Sequence, residues 1–131
     1  MSSIFSRIIL GEIPSYTIFE DEKVYAFLDI RPLKPGHTLV IPKVEVDNIF
    51  DLDKDLYTHL FLVARKIALA IKSALPCTKV GLSVIGLEVP HAHIHLVPID
   101  EISDMAFGKI SAQLEAAEFE MIADKIQKAL L

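Results

Sequence analysis

Pro90-His91-Ala92-His93-Ile94-His95-Leu96-Val97 carries a histidine at every second position across five residues. In an extended chain, alternate side chains point to opposite faces. His91, His93 and His95 therefore share one face, and Ala92, Ile94 and Leu96 share the other. The apolar face gives the strand a reason to be buried, and the histidine face is left for chemistry. With a rise of about 3.3 Å per residue, successive imidazoles are expected about 6 to 7 Å apart. Five histidines are present in 131 residues, so three in strict alternation is not what random scatter produces.

Working outward, Pro90 and Pro98 bracket this strand, and Val80–Ile85 reads as another strand just before it. Upstream of both, Leu56, Leu60, Val63, Ile67, Ala70, Ile71 and Ala74 step by three and four residues, which predicts a helix over Asp53–Leu75. Asp51 or Asp53 supplies the capping oxygen, and Pro76 stops the helix. Thr38–Ile41 reads as a strand ended by Pro42. The segment Arg31-Pro32-Leu33-Lys34-Pro35-Gly36 is a loop, because two prolines and a glycine forbid continuous pairing. Tyr16–Glu20 and Lys23–Leu28 form a hairpin about an acidic turn. Ser2 or Ser3 caps a short helix running through Leu10, closed by Gly11 and Pro14. In the tail, Phe119, Ile122, Ala123, Ile126, Ala129 and Leu130 make one helical stripe. Adjacent hairpin strands without strict βαβ alternation predict an α+β fold: an antiparallel sheet of about five strands, a long central helix and a C-terminal helix. The expected organisation is one domain over 1–110, with 111–131 as a helical extension packed on it.

Composition narrows the function classes. Thirteen Lys and Arg against eighteen Asp and Glu give a net charge of −5, which argues against broad phosphate neutralisation on a nucleic acid. Tryptophan is absent, so a base-stacking platform for single strands is poorly supplied. A single cysteine, Cys77, can form neither an internal disulfide nor a thiolate zinc cage, and this suits a reducing, cytoplasmic compartment. No apolar run approaches the roughly 20 residues of a membrane span, so no membrane partner is expected.

Two chemistries want an array of imidazoles. Histidines at i and i+2 on a strand can reach one zinc ion, with His37 as a further ligand. Alternatively, a neutral imidazole can attack an α-phosphate and form a phosphoramidate while neighbouring imidazoles bind the phosphoryl oxygens and protonate the leaving group. In a site of that second kind, a backbone carbonyl hydrogen-bonded to one ring nitrogen keeps the other free to attack. A purine also needs an apolar slot, and a ribose diol needs a carboxylate. Phe27-Leu28-Asp29-Ile30 offers one acid inside an apolar tetrad at a strand end.

Pro90–Val97 resembles the His-φ-His-φ-His-φ-φ pattern of the histidine triad (HIT) superfamily of nucleotide hydrolases and transferases. The likeness extends through Ile4-Phe5, Gly11-Glu12-Ile13-Pro14, Phe19-Glu20-Asp21, Ala26-Phe27-Leu28-Asp29-Ile30 and Pro35-Gly36-His37-Thr38-Leu39-Val40-Ile41-Pro42-Lys43. In order and spacing it covers residues 4 to about 98. By this resemblance His93 is the nucleophile that becomes bonded to a nucleoside monophosphate, and His95 contacts the phosphate and its leaving oxygen. His91 supports the geometry, and His37 packs behind the triad and hydrogen-bonds to it. Asp29 binds the ribose hydroxyls, and Ile4, Phe5, Phe27, Ile30 and Leu39 clamp the base. The resemblance also implies a homodimer, for which the apolar Asp53–Leu75 helix could supply the interface. No cofactor or metal is required.

The chain departs from the family pattern in three places. The loop before the triad, Gly81–Val89, is short, and Glu88 stands where a neutral polar donor is usual. Phosphate contacts are then expected from Ser83 and from backbone amides near Gly86. Ser3 and Ser6 occupy positions where some members carry zinc-binding cysteines, so that zinc is not expected here. Lys43-Val44-Glu45 lacks the second histidine common after Pro-Lys. The expected activity is hydrolysis at the α-phosphate of a nucleoside 5′-phosphoramidate, with purine preferred. The alternatives are a dinucleoside polyphosphate hydrolase, a zinc-dependent hydrolase and a nucleotide-binding module with weak catalysis.

Overall fold

The computed structural model describes residues 2–109 and 111–131. A short helix α1 (Ile4–Ile9) is followed by strands β1 (Thr17–Glu20), β2 (Val24–Leu28) and β3 (Thr38–Pro42). The long helix α2 (Lys54–Ala74), strands β4 (Lys79–Ser83) and β5 (Ile94–Ile99), and the C-terminal helix α3 (Ala116–Ala129) complete the chain. The strands form one antiparallel α+β sheet in the order β1-β2-β3-β5-β4.

Local chemistry explains the element ends. Asp21 Oδ1 accepts from the backbone N–H groups of Lys23 and Val24 at 2.8 and 2.7 Å, which closes the β1–β2 hairpin. Asp53 Oδ1 accepts from Leu56 N–H at 2.9 Å and caps α2. Of the two serines expected to cap α1, Ser3 does so, accepting from Ser6 N–H at 3.0 Å.

Strand alternation then divides the sheet into two faces. Val24, Ala26, Leu28, Val40, Ala92, Ile94 and Leu96 join the main core with Leu60, Val63, Ala64, Ile67, Ala70 and Ile71 of α2. Helix α3 adds Phe119, Ile122, Ala123 and Ile126 to that same core. The opposite face carries a smaller cluster of Phe5, Ile8, Tyr25, Phe27, Leu39 and Ile41, with α1 laid over it.

Three strand ends differ from the sequence expectation by two residues or more. The fifth strand begins at Ile94 rather than His91. Its approach is a tight turn, in which His91 N–H bonds the Val89 carbonyl at 2.8 Å and Ala92 N–H bonds the Val46 carbonyl at 2.7 Å. At the other end the strand runs through Pro98 to Ile99. Pro98 pairs with Val80 of β4, while β3 pairs with β5 only as far as Thr38↔Leu96, so the missing proline N–H breaks no ladder bond there. The fourth strand ends at Ser83, before the expected Ile85, and the chain turns at Gly86 with φ +74°.

Gly36, which delivers the chain into β3, has φ +101°, and a Cβ there would run into Leu75 Cδ1 and approach Pro98 Cγ within 3.3 Å. Gly36→Ala is expected to destabilise the fold by at least about 1 kcal/mol. A lowered urea midpoint at unchanged m-value is the result that checks it.

Candidate active site

Leu39 stands opposite His95 across the β3–β5 pair, and Ser83 stands opposite it across β4–β5. This register puts His95 on the sheet face away from α2. Phe5 of α1 meets His93 edge-on at 5.0 Å and His91 at 5.8 Å between ring centroids, so His91 and His93 lie on the α1 side as well. The His93 and His95 rings are 4.8 Å apart, closer than ideal strand spacing, because the chain is still turning at residues 91–93.

Hydrogen-bond direction assigns the tautomers. A carbonyl only accepts, so the 2.7 Å contact between His93 Nδ1 and the His91 carbonyl oxygen puts the proton on Nδ1. In the neutral ring, Nε2 then carries a lone pair, and it makes no hydrogen bond among the described residues. The second chain starts from a backbone N–H, which only donates. Leu33 N–H gives to His37 Nδ1 at 3.0 Å, so the neutral His37 holds its proton on Nε2 and donates it to His95 Nδ1 at 2.9 Å. His95 must then carry its own proton on Nε2. The two imidazoles therefore present opposite functions side by side: a lone pair on His93 and an N–H on His95.

Burial keeps His37, His91 and His95 neutral. Desolvation pushes His37 down to about 3 and His95 down to about 4 from an ordinary 6.5, and neighbouring imidazoles push both the same way. His91, fully buried, is also lowered, chiefly by desolvation. Its Nε2–H donates to the Pro42 carbonyl at 2.8 Å, and Ser3 Oγ lies 2.8 Å from its Nδ1. Asp29, at the end of β2, has its carboxyl raised by burial and by the charge of Glu88, partly offset by the Arg31 N–H that its Oδ1 accepts at 2.9 Å. Its Oδ2 lies 3.7 Å from His37 Nε2. Donor atoms of Asp29, His37 and His95 fall within 4.8 Å of one another, a spacing that a metal ion could use. Ligation by both rings would require the His37–His95 hydrogen bond to break.

The expected base-pocket residues separate by strand parity. Phe5, Phe27 and Leu39 line the site face, and Ile4 and Ile30 are exposed at its rim. Leu28 does not join them: one residue beyond Phe27, it points into the helical core. Beside His93 a cleft of about 300 Å³ is lined by Asp47, Asn48, Ile49, Phe50, Val84, Ile85, Gly86 and Ala92. Gly86 thus reaches the histidines, in a loop whose neighbouring Glu88 is exposed. Sequence reasoning missed Phe107, whose ring meets His95 edge-on at 4.7 Å, and the Asp47–Phe50 wall. Neither carries a local signal, since both are ordinary loop residues until the fold closes.

The depressed histidine values have a stability consequence. Between pH 6.5 and about 4 the unfolded chain binds protons that the folded chain refuses. Stability is therefore full above 6.5 and declines as pH falls through that window. His37→Asn is expected to reduce this slope by as much as one proton, about 1.4 kcal/mol per pH unit. Urea titrations at stepped pH measure it, and an unchanged slope refutes the assignment.

Comparison with known proteins identifies the family and the fold. The family model described as the HIT domain matches residues 10–102. The chain is 40% identical over 102 residues to Protein hit of Bacillus subtilis, covering 72% of this chain and 69% of that one. It is 36% identical over 107 residues to adenosine 5'-monophosphoramidase HNT1 of Saccharomyces cerevisiae, covering 80% and 68%. A crystal structure of a Hit-like protein involved in cell-cycle regulation from Bartonella henselae superposes with a TM-score of 0.85 at 33% identity, over 98% of this chain and 96% of that one. With the triad, the sheet that carries it and these relatives in agreement, the chain belongs to the HIT domain family.

Proposed function

We propose that this protein hydrolyses nucleoside 5′-phosphoramidates, with purine preferred, through a covalent nucleotidyl-histidine intermediate. The observation that carries the reading is the 2.7 Å bond from His93 Nδ1–H to the His91 carbonyl, which leaves Nε2 as a lone pair beside the His95 N–H. His93 Nε2 attacks the α-phosphorus in line, and the bond from phosphorus to the leaving amine breaks. His95 Nε2–H donates a hydrogen bond to the departing nitrogen as charge develops there, and that nitrogen leaves as the amine with a proton taken up from solvent. Water then displaces the imidazole, releasing the nucleoside monophosphate and restoring His93. Over the cycle one water is consumed. The yeast relative named as an adenosine 5'-monophosphoramidase supports this substrate class.

In this reading Asp29 takes the ribose diol, with Phe5, Phe27 and Leu39 against the base and Ile4 and Ile30 closing over it. Ser83 and the amides around Gly86 serve the phosphate. The protein's own groups supply the nucleophile and the donors, so no cofactor is required. The solvent-facing Leu62 and Leu69 on α2 and the outer edge of β4 support a homodimer. The lone Cys77 supports a cytoplasmic setting. Among the described residues no helix is long and apolar enough to cross a membrane.

An acidic mouth favours an amine over a polyphosphate as leaving group. Asp47 lines the cleft beside His93, the cleft lining includes no lysine or arginine, and Glu88 lies near enough to Asp29 to raise its carboxyl. Neutralising that charge with Glu88→Gln is expected to improve kcat/KM for a dinucleoside polyphosphate by a few-fold and to leave the phosphoramidate rate within about twofold. Equal changes for the two substrates contradict the electrostatic account.

The central test uses a fluorogenic adenosine phosphoramidate with and without EDTA, followed by intact mass after a quench that avoids acid. Turnover that survives EDTA, with an added mass of one adenylate, is expected of the wild type. His93→Ala and His93→Gly are expected to lose both turnover and adduct while keeping most of their affinity for the monophosphate. An intact rate in either variant removes His93 as the nucleophile.

A further inference from the structure

Away from the two histidine chains, a third polar network has no part in the reaction as described. It joins Ser3, Ser6, Glu45 and His91. Glu45 Oε1 accepts from Ser3 N–H at 2.6 Å and from the Ser6 hydroxyl at 2.7 Å. Ser3 Oγ accepts from Ser6 N–H at 3.0 Å and lies 2.8 Å from His91 Nδ1. Because His91 Nε2 faces the Pro42 carbonyl, Nε2 holds the proton and Nδ1 is the acceptor, so the Ser3 hydroxyl is the donor. The network spans from the turn after β3 to the first turn of α1 and on to the ring of His91. The backbone carbonyl of that same residue receives His93 Nδ1–H.

We propose that Glu45 is a positioning residue for the nucleophile. Its carboxylate oxygen fixes the first turn of α1, the Ser3 hydroxyl fixes the His91 ring, and the pinned His91 holds its carbonyl where His93 needs it. Three features support the assignment. His91 has both ring nitrogens engaged, so rotation of the ring costs two hydrogen bonds at a fully buried site. The chain at residues 89–92 makes no strand ladder that would otherwise hold the His91 carbonyl. Six-residue α1 is too short to be stable alone, and Glu45 ties its start to the sheet. What Glu45 contributes is mainly an acceptor in a fixed place, since the exposed carboxylate makes no hydrogen bond to His91 or His93 among the described residues, although its charge reaches the His91 ring. It therefore acts through other groups and is not itself catalytic. The assignment rests on the reading of His93 as the nucleophile.

The test compares Glu45→Ala with Glu45→Gln, the latter keeping an oxygen in the same place. Long-range proton–nitrogen spectra of the imidazoles report tautomers independently of turnover. The wild type and Glu45→Gln are expected to show His91 protonated on Nε2 and His93 on Nδ1, with similar kcat. Glu45→Ala is expected to lose about 10-fold in kcat and to show His93 as a mixture of tautomers. A rise in KM alone, with ring signals and kcat unchanged, means that Glu45 only steadies α1 and overturns the proposal. Equal damage from Glu45→Gln and Glu45→Ala also overturns it. If Glu45→Ala fails to fold by circular dichroism, Ser3→Ala against Ser3→Thr carries the same comparison, because threonine keeps the hydroxyl. Failure of the nucleophile reading is separate: it would appear as turnover in His93→Ala while the tautomers and their response to Glu45 stayed as expected.

Discussion

The bond from His93 Nδ1–H to the carbonyl of His91 is the constraint from which the rest of the site follows. An unconstrained imidazole near neutral pH exchanges between two tautomers and a cation, and only one of those forms offers a lone pair on Nε2. A carbonyl two residues back in the same chain excludes the tautomer protonated on Nε2 alone, without adding any ionisable group. It works only if the backbone at residues 91–93 holds a turn in place of a regular ladder. The tight bonds His91 N–H to Val89 and Ala92 N–H to Val46 impose that turn. The irregular start of β5 is therefore what lets His93 fold back onto its own chain.

The neighbouring chain of hydrogen bonds solves the complementary problem. It starts at Leu33 N–H, a group that can only donate, and this direction propagates through His37 to His95. Reversing it would leave a donor facing a donor at a buried site, at a cost of a few kcal/mol. Burial acts in the same sense, because it disfavours the cationic forms that would disrupt the sequence of donors and acceptors. Desolvation and hydrogen bonding reinforce each other here, whereas in a buried ion pair they oppose.

Much of this was legible before any coordinates. Alternation in Pro90–Val97 sends Ala92, Ile94 and Leu96 into the core and the histidines to the other face, and the three-and-four stepping of Leu60, Val63, Ile67 and Ile71 marks the helix that covers that core. Side-chain chemistry narrows the caps to Ser2 or Ser3 and to Asp51 or Asp53, and the fold selects Ser3 and Asp53. What escaped was set by register and by contacts distant in sequence. Leu28 reads as part of one apolar tetrad with Phe27, yet adjacency in a strand means opposite faces. Pro98 reads as a strand end until one knows that β3 has stopped before reaching it. Glu45 and Phe107 have nothing local to distinguish them, since one is 46 residues from His91 in the sequence and the other gains meaning only where its loop returns to His95.

The charge distribution around the triad sets the kind of electrostatics that the proposed reaction can use. A common way to bind a phosphate is with lysine or arginine, but the cleft beside His93 is lined by neither, and the acids Asp29, Asp47 and Glu88 belong to its surroundings. In the proposed reaction, stabilisation of the transferring phosphoryl group would then come from fixed dipoles, the His95 N–H and the backbone amides near Gly86. Such donors are aimed by the fold before substrate arrives and need no reorganisation as charge moves from one oxygen to another. They also attract an anion less strongly at long range than a lysine would, and the surrounding carboxylates weaken that attraction further. A substrate bearing one phosphoryl charge and leaving as an amine loses little under these conditions, whereas a polyphosphate chain must bring several charges past the acids. In the proposed reaction, the negative mouth around the triad would discriminate between nucleotides by the charge of what departs.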